Sequence, residues 1–187
     1  IDTEDDDELS IGCAGGIDTN TTYTYGQVPV QGETFTLSVR GLLGGHSGMD
    51  IDKGRGNANK WMARILWEMK QVTNIQLISF DGGSLRNAIP REATAVIASN
   101  DISAVKSVFA EISATLKEEY VSIEPNCQFD IQATSTSEQA MNDQDFSKII
   151  SLLCSVHNGV YRMSPDIAGL VETSSSLARI IIKDGSF

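Results

Sequence analysis

The sequence predicts an α+β fold in which helices pack on one face of an antiparallel sheet. Some segments alternate apolar and polar residues, as half-buried strands do, and others carry apolar residues at helical spacing. Up to residue 133 these segments run strand, helix, strand, strand, helix, strand. That order is the ferredoxin-like, split β-α-β pattern, and one sheet layered against its helices buries the apolar side of both.

The first half of the pattern is a strand and a helix. A strand is predicted over residues 34–40, because Phe35, Leu37 and Val39 alternate with polar residues, and its other face is expected to be wet. A glycine-rich loop at 41–54 follows, and then a helix. The apolar face of this helix consists of Trp61, Met62, Ile65, Leu66 and Met69.

Two strands and a second helix come next. The strands are predicted over 74–80 and 94–99, and Pro90 keeps the intervening turn extended. Either Asn100 or Asp101 can cap the second helix. Its apolar stripe consists of Val105, Val108, Phe109, Ile112 and Leu116.

The remainder predicts the last strand of the pattern and an additional α-β-β extension. Residues 127–132 alternate apolar and polar side chains, which indicates a strand. A third helix is predicted to begin near Asn142, and two strands are predicted at 169–173 and 177–182. This extension would either widen the same layer or build a partial second copy of it.

Charge and cysteine usage restrict the class of protein. The formal net charge is -11, which repels a nucleic-acid backbone, so we expect no nucleic-acid partner. We expect no membrane association either, since there is neither an apolar stretch of membrane-spanning length nor a signal leader. Cys13, Cys127 and Cys154 are odd in number and widely spaced, which favours free, reduced, mostly buried thiols and a cytoplasmic location. Because the chain starts with Ile1, we expect a processed chain or a piece of a longer one.

Two residues are candidates for metal or catalytic chemistry. Asp2 opens an acidic run, where a carboxylate is either a metal ligand or a solvated charge near a terminus. His46 has glycines on both sides in Gly44-Gly45-His46-Ser47-Gly48, which let the backbone bring an imidazole close to another molecule. His46 is either a donor to a developing oxyanion or a turn histidine with local hydrogen bonds.

Three further polar residues have two interpretations each. Asn87, next to Ala88-Ile89-Pro90, either binds a substrate carboxylate or carbonyl, or bonds its own turn. Arg162 is either a carboxylate clamp or a surface arginine. His157 is expected at a surface or a helix end. The two histidines form no HExxH site, and GxSxG and GxxxxGK[ST] motifs are absent, so the residues alone show no complete catalytic constellation.

Several segments closely resemble the aminoacyl-histidine dipeptidase family of zinc metallopeptidases. They are IDTEDDDELSIGCAGGID at 1–18, GLLGGHSGMDIDKGRGNANK at 41–60, GGSLRNAIPREA at 82–93 and RMSPDIAGLVETSSSLA at 162–178. The segments occur in the family's order along nearly the whole chain. GGHSG with GNANK, and RNAIPREA, are the specific matches.

The resemblance implies a two-domain enzyme with a two-zinc catalytic domain and an inserted lid. Residues 1–18 would be the strand end and connection from the catalytic domain, which lies outside this chain, and residues 19–187 would be the lid and dimerisation domain. Asp2 matches the family's aspartate zinc ligand, although Thr3 replaces the usual serine. His46 matches the lid histidine that reaches over the active site, Asn87 matches a substrate-holding asparagine, and Arg162 is a weaker match.

The implied function is metal-assisted hydrolysis of Xaa-His and similar dipeptides. Most zinc ligands would lie outside this chain, so we expect the chain alone to be inactive and to bind no zinc. The expected partners are a dipeptide, the protein's own catalytic domain and a second copy of the chain. The alternative is a non-enzymatic ferredoxin-like module for binding or oligomerisation, because fold alone does not decide function.

Overall fold

The computed structural model describes residues 15–136 and 139–187. Within them the chain forms strands, three α-helices and one 3-10 turn. The strands are β1 (Gln27–Val28), β2 (Glu33–Arg40), β3 (Gly45–His46), β4 (Ile75–Gly82), β5 (Ala88–Ile89), β6 (Ala93–Ser99), β7 (Gln128–Thr134), β8 (Ala140–Met141), β9 (Gly159–Met163), β10 (Val171–Ser175) and β11 (Ile180–Ile182). The helices are α1 (Ala58–Val72), α2 (Ile102–Glu119) and α3 (Asp143–Ser155), and the 3-10 turn is Ile51–Lys53.

The central sheet has five strands in the order β11-β4-β6-β2-β7, and every neighbouring pair is antiparallel. Two connections, β2-α1-β4 and β6-α2-β7, each skip one position in the sheet. This confirms the predicted split β-α-β order and the α+β class.

The helices pack on one face of the sheet. α1 lies at the centre of this layer and contacts α2, α3 and the sheet. All of its predicted apolar face is buried, and so are most of the predicted stripe of α2 and the inward side of α3. The largest fully buried side chains include Phe35, Phe80, Phe146, Met62 and Met69.

The opposite face of the sheet is drier than the alternation in β2 predicts. Thr34 and Ser38 point away from the helices, yet they are only 7% and 3% exposed. A second apolar cluster, centred on Ile78, Ala98 and Ala140, lies on that side. An irregularity in β4 between Leu77 and Ser79 changes its register, and β1 and β8 contribute to this cluster. The prediction that β2 has a wet face is therefore wrong for Thr34 and Ser38.

The last third of the chain follows the first of the two predicted arrangements in part. α3 begins after Asn142, whose side chain accepts the amide of Asp145 at 2.8 Å. β11 joins the main sheet at the outer edge of β4, as one of the two predicted alternatives requires. β10 instead pairs with β9, which was not predicted, in a separate two-stranded ribbon.

The incoming and outgoing ends of the described fold lie side by side. The amide of Tyr23 donates to the carbonyl of Phe187 at 2.8 Å, and the reverse bond between the same residues is also 2.8 Å. None of the helices within 15–136 and 139–187 combines the length and apolar character that a membrane crossing requires. The residue 18 boundary is not tested by this fold and stays a prediction.

Candidate functional site

The two most specific sequence motifs meet in a short ribbon beside the main sheet. β3, from the glycine-rich loop, pairs antiparallel with β5, from the RNAIP segment, so that His46 lies opposite Ala88. The amide of Ser47 then donates to the carbonyl of Asn87 at 2.9 Å. The structure therefore brings the backbones of His46 and Asn87 together, although they are far apart in sequence.

The imidazole of His46 is oriented by its own turn. Its Nδ1 accepts the amides of Gly48 at 3.1 Å and Met49 at 3.3 Å. A nitrogen that accepts carries no proton, so we assign the ring proton to Nε2. His46 thus presents an N–H donor on the side of the ring that faces away from the turn.

Asp50 fixes the backbone around His46. Its Oδ2 accepts the amide of His46 at 2.8 Å, and its Oδ1 accepts the Lys53 amine at 2.5 Å. These two hydrogen bonds hold the pKa of Asp50 below its ordinary value, and the bond from Lys53 has the larger effect. Arg55 lies 3.3 Å from the same carboxylate and donates to the carbonyl of Gly44 at 2.6 Å. The loop therefore carries its own polar scaffold, which the sequence motif did not predict.

Gly45 is constrained by this scaffold. Its φ is +137°, a backbone conformation that side chains disfavour. A Cβ at this position would also lie 2.9 Å from the Cβ of Asp50. The glycine before His46 thus serves close packing against Asp50 as well as conformational freedom.

Asn87 contributes its backbone to the ribbon, and its side chain is exposed. Its carbonyl is used by Ser47, and the turn at 85–88 is closed by the Ala88 amide bonding Leu85 at 3.3 Å. The side-chain amide faces solvent beside the loop that carries His46, which we call the histidine loop and define as residues 43–56. This placement leaves the side chain accessible to a ligand, and the two interpretations of Asn87 stay as predicted.

Arg162 lies elsewhere. It is on β9, in the separate ribbon, and its Nε ion-pairs with Glu172 at 2.7 Å. That ribbon contacts the 3-10 turn at Ile51–Lys53. His157, at its base, is exposed and meets the ring of Tyr161 edge-on at 5.5 Å.

The GNANK motif has a structural role that sequence reasoning missed. Asn57 caps α1 by accepting the amide of Lys60 at 3.1 Å, and it donates to Asn158 at 2.7 Å. Asn59 is fully buried and donates to the carbonyl of Leu177 at 3.0 Å. Lys60 bonds three carbonyls at the end of α3. This motif ties α1 to α3, to Asn158 just before β9, and to the segment between β10 and β11.

The described residues do not by themselves make a metal centre. No group of three His, Cys, Asp or Glu side chains in residues 15–136 and 139–187 is arranged to hold an ion. Asp2, the predicted zinc ligand, and Cys13 lie outside the described residues. Cys127 is buried and Cys154 is exposed as a residue, and both are free. The thiol of Cys154 is nevertheless partly covered, since it lies 3.8 Å from the carbonyl of Ala63. Loss of contact with water is the main cause that raises the pKa of each thiol. The prediction of mostly buried thiols thus holds for one of these two.

Comparisons with known proteins agree with this architecture. Residues 37–124 match the family described as peptidase dimerisation domain. A cytosol non-specific dipeptidase from Escherichia coli (strain K12) is 38% identical over 189 residues, which cover 99% of this chain and 39% of that protein. The crystal structure of aminoacylhistidine dipeptidase from Vibrio alginolyticus matches with a TM-score of 0.85 and 36% identity, over 88% of this chain and 34% of that one.

The chain thus spans about two fifths of the length of the curated relative, since it covers 39% of it. The dipeptidase resemblance found in the sequence is confirmed, and both matched proteins are dipeptidases by name. The matched family segment runs from the second half of β2 through the histidine loop and α1 to the end of α2. We conclude that this chain contains the peptidase dimerisation domain of a dipeptidase family.

Proposed function

We propose that the intact protein is a zinc-dependent dipeptidase that hydrolyses Xaa-His and similar dipeptides, with this chain as its lid and dimerisation domain. The observation that carries the proposal is the ring of His46, whose Nδ1 is used by two amides so that its Nε2–H is left as a donor. The names of the two relatives support the reaction class. The cytosolic relative supports a cytoplasmic location.

The proposed role of His46 is to stabilise the oxyanion that forms when the scissile carbonyl becomes tetrahedral. A donor whose orientation is fixed before the reaction needs no reorganisation as charge develops. Such a donor typically lowers the barrier by an amount equivalent to ~10²–10³ in rate. The Asp50 scaffold supports this role because it fixes the backbone that carries the ring.

Asn87 is proposed to hold the substrate beside His46. Its exposed amide can donate to a carboxylate or carbonyl and can accept from an amine. Arg162 is proposed as a carboxylate-binding residue, and its pair with Glu172 would have to be exchanged for the substrate. Both side chains are about half exposed in that ion pair, so the exchange would cost little.

The pairing of Tyr23 with Phe187 supports an inserted lid. Tyr23 and Phe187 are hydrogen-bonded to each other in both directions, so the segments that enter and leave the fold are neighbours. A domain with adjacent ends can be inserted into another domain without disturbing it. We place the connection at residues 1–18 and the lid at 19–187. Closure of the lid would exclude water and bring His46 to the reacting carbonyl.

The metal is proposed to be held mainly by the catalytic domain. The described residues of this chain offer no set of ligands for zinc, and Asp2 is the one proposed ligand in the sequence. When bound, zinc would supply an activated water and polarise the carbonyl. A second copy of the chain is the proposed partner, through a sheet edge or an apolar helix face, as a dimerisation domain implies.

An activity measurement on the intact protein tests the proposal. The zinc-loaded protein should release histidine from Xaa-His dipeptides, and a chelator should abolish this release. The 187-residue chain, given the same zinc, should release none, because a catalytic zinc needs about three protein ligands. Histidine release by the chain alone, or none by the zinc-loaded intact protein, would contradict the proposal.

A further inference from the structure

Glu124 is a buried carboxylate that the proposed mechanism does not use. It follows α2 and is only 1% exposed. Its Oε2 accepts the amide of Leu43 at 2.8 Å, and its Oε1 accepts the amide of Gly56 at 2.8 Å. A buried carboxylate that accepts from two backbone amides holds them in place. If an amide moved away, it would lose its hydrogen bond where water cannot replace it, which costs free energy.

The two amides that Glu124 binds, at Leu43 and Gly56, are the first and last of the histidine loop. Loops of this length with adjacent ends pack as compact units on the surface. Glu124 thus holds the two ends of the histidine loop together, and we call these ends, Leu43 and Gly56, the neck of the loop. Asp50 supports the interior of the loop. The two carboxylates have different roles. Glu124 sets where the loop lies on the domain, and Asp50 sets how the backbone of His46 lies within the loop.

Close contacts with the rest of the domain hold both Glu124 and the neck of the loop. The amide of Glu124 donates to the carbonyl of Tyr120 at 2.8 Å, and Pro125 restricts the backbone of Glu124, the residue before it. On the loop side, Gly56 lies against Trp61, where a Cβ would come within 2.7 Å of the indole. Trp61 is in turn packed against Tyr120, with ring centroids 4.7 Å apart. Packing of Trp61 and Tyr120 in the core therefore fixes the position of Gly56.

We propose that Glu124 is a positioning residue for His46, holding the histidine loop at the place where its imidazole can reach the substrate. The inference rests on the proposed function of His46. It adds a residue that has no place in the recognised motifs and that acts through two backbone amides, without touching the substrate.

The test uses Glu124→Gln in the intact, zinc-loaded protein. The amide keeps the shape of the side chain but turns one acceptor into a donor that faces a backbone N–H. We expect kcat for dipeptide hydrolysis to fall by about 10- to 100-fold, since small misplacements of a catalytic group have effects of that order. KM should change by less than about twofold, because the group acts in the transition state.

Glu119→Gln is the matched control. Glu119 also ends α2 and accepts two hydrogen bonds, from Arg64 at 2.7 and 3.0 Å, but it lies away from the loop. We expect kcat to be unchanged in this variant. In a His46→Ala background, Glu124→Gln should have little further effect, since the two residues act as one unit. An equal loss of kcat with and without His46 would overturn the proposal.

A second measurement does not depend on activity. The backbone amide spectrum of the intact protein reports where the loop lies. The signals of His46 and Ser47 serve as markers, because both amides are hydrogen-bonded and neither bonds Glu124. Glu124→Gln should shift both signals and speed hydrogen exchange of the Ser47 amide, and Glu119→Gln should do neither. The ring proton of His46 should stay on Nε2 in both variants, because the amides of Gly48 and Met49 set the tautomer. If Glu124→Gln fails to fold, Glu124→Asp, which keeps a carboxylate but is too short to reach both amides, should show the same changes. Unaltered signals of His46 and Ser47 would overturn the positioning role, whereas altered signals together with absent hydrolysis by the unsubstituted protein would overturn only the proposed function.

Discussion

The amide of Ser47 donates a hydrogen bond of 2.9 Å to the carbonyl of Asn87. This bond extends the ribbon of β3 and β5, so the histidine loop and the asparagine turn cannot move apart without breaking the ribbon. The two residues proposed to face the substrate thus belong to one structural unit. Changes that loosen the ribbon should affect the contributions of both residues together.

Lys60 should stabilise the packing of α1 against α3. Its amine donates to the carbonyls of Leu153, Cys154 and Val156 at 2.7, 2.7 and 2.8 Å. These carbonyls lie at the end of α3, where a helix runs out of its own amide donors. Burial lowers the pKa of this amine, so desolvation offsets part of the gain. We expect Lys60→Met to lower the free energy of unfolding by about 1–3 kcal/mol.

Urea unfolding of the intact protein measures this change, with Lys106→Met as the control. Lys106 is an exposed lysine on α2, so its replacement should alter the free energy of unfolding by less than about 0.5 kcal/mol. Equal effects of the two substitutions would mean that the three carbonyl bonds contribute nothing specific.

Asp145 should make the domain sensitive to acid. Hydrogen bonds from the amide of Gly26 and the hydroxyl of Tyr23, both at 2.8 Å, lower the pKa of Asp145 to about 2. The unfolded chain has an ordinary aspartate pKa of about 3.9. Because the folded pKa is the lower one, this stabilisation is fully present above about pH 4–5 and is lost as the pH falls towards about 2.

Thermal unfolding between pH 6 and pH 2.5 checks the effect, the pH values being chosen to bracket that window. Asp145→Asn should flatten the decline in melting temperature below about pH 4, because the substituted side chain no longer titrates. Asp166→Asn, at an exposed turn between β9 and β10, should leave the decline as it is in the unsubstituted protein. An unchanged acid profile in Asp145→Asn would contradict the assigned role.

The main sheet and its helices were predictable because their patterns are long. β2 and the apolar faces of α1 and α3 repeat over several turns or alternations, and tertiary packing follows these repeats. Two-residue strands such as β3 and β5 carry no period, so the ribbon that joins His46 to Asn87 could not be predicted. β9 was missed for a related reason, since only part of its side-chain surface is buried.

The sequence motifs identified the candidate site residues, but they did not identify the residues that hold the site in place. Glu124 stands after a helix in SIEPNC, where a charged residue is usually solvated, and its burial depends on the loop that folds over it. Asp50 and Lys60 were within recognised segments, but their partners come from the tertiary structure or from a turn. Residues that carry chemistry are easier to identify from sequence than the residues that position them, because positioning depends on contacts made only in the folded structure.

The most direct test of the account is the turnover of His46→Ala in the intact protein, measured together with bound zinc. We expect kcat for an Xaa-His dipeptide to fall by about 10²–10³ while zinc content stays as in the unsubstituted protein, because the ring acts as a donor and not as a ligand. His157→Ala, at the chain's other and exposed histidine, should keep full turnover. Loss of zinc along with activity in His46→Ala, or full activity without the ring, would contradict the account.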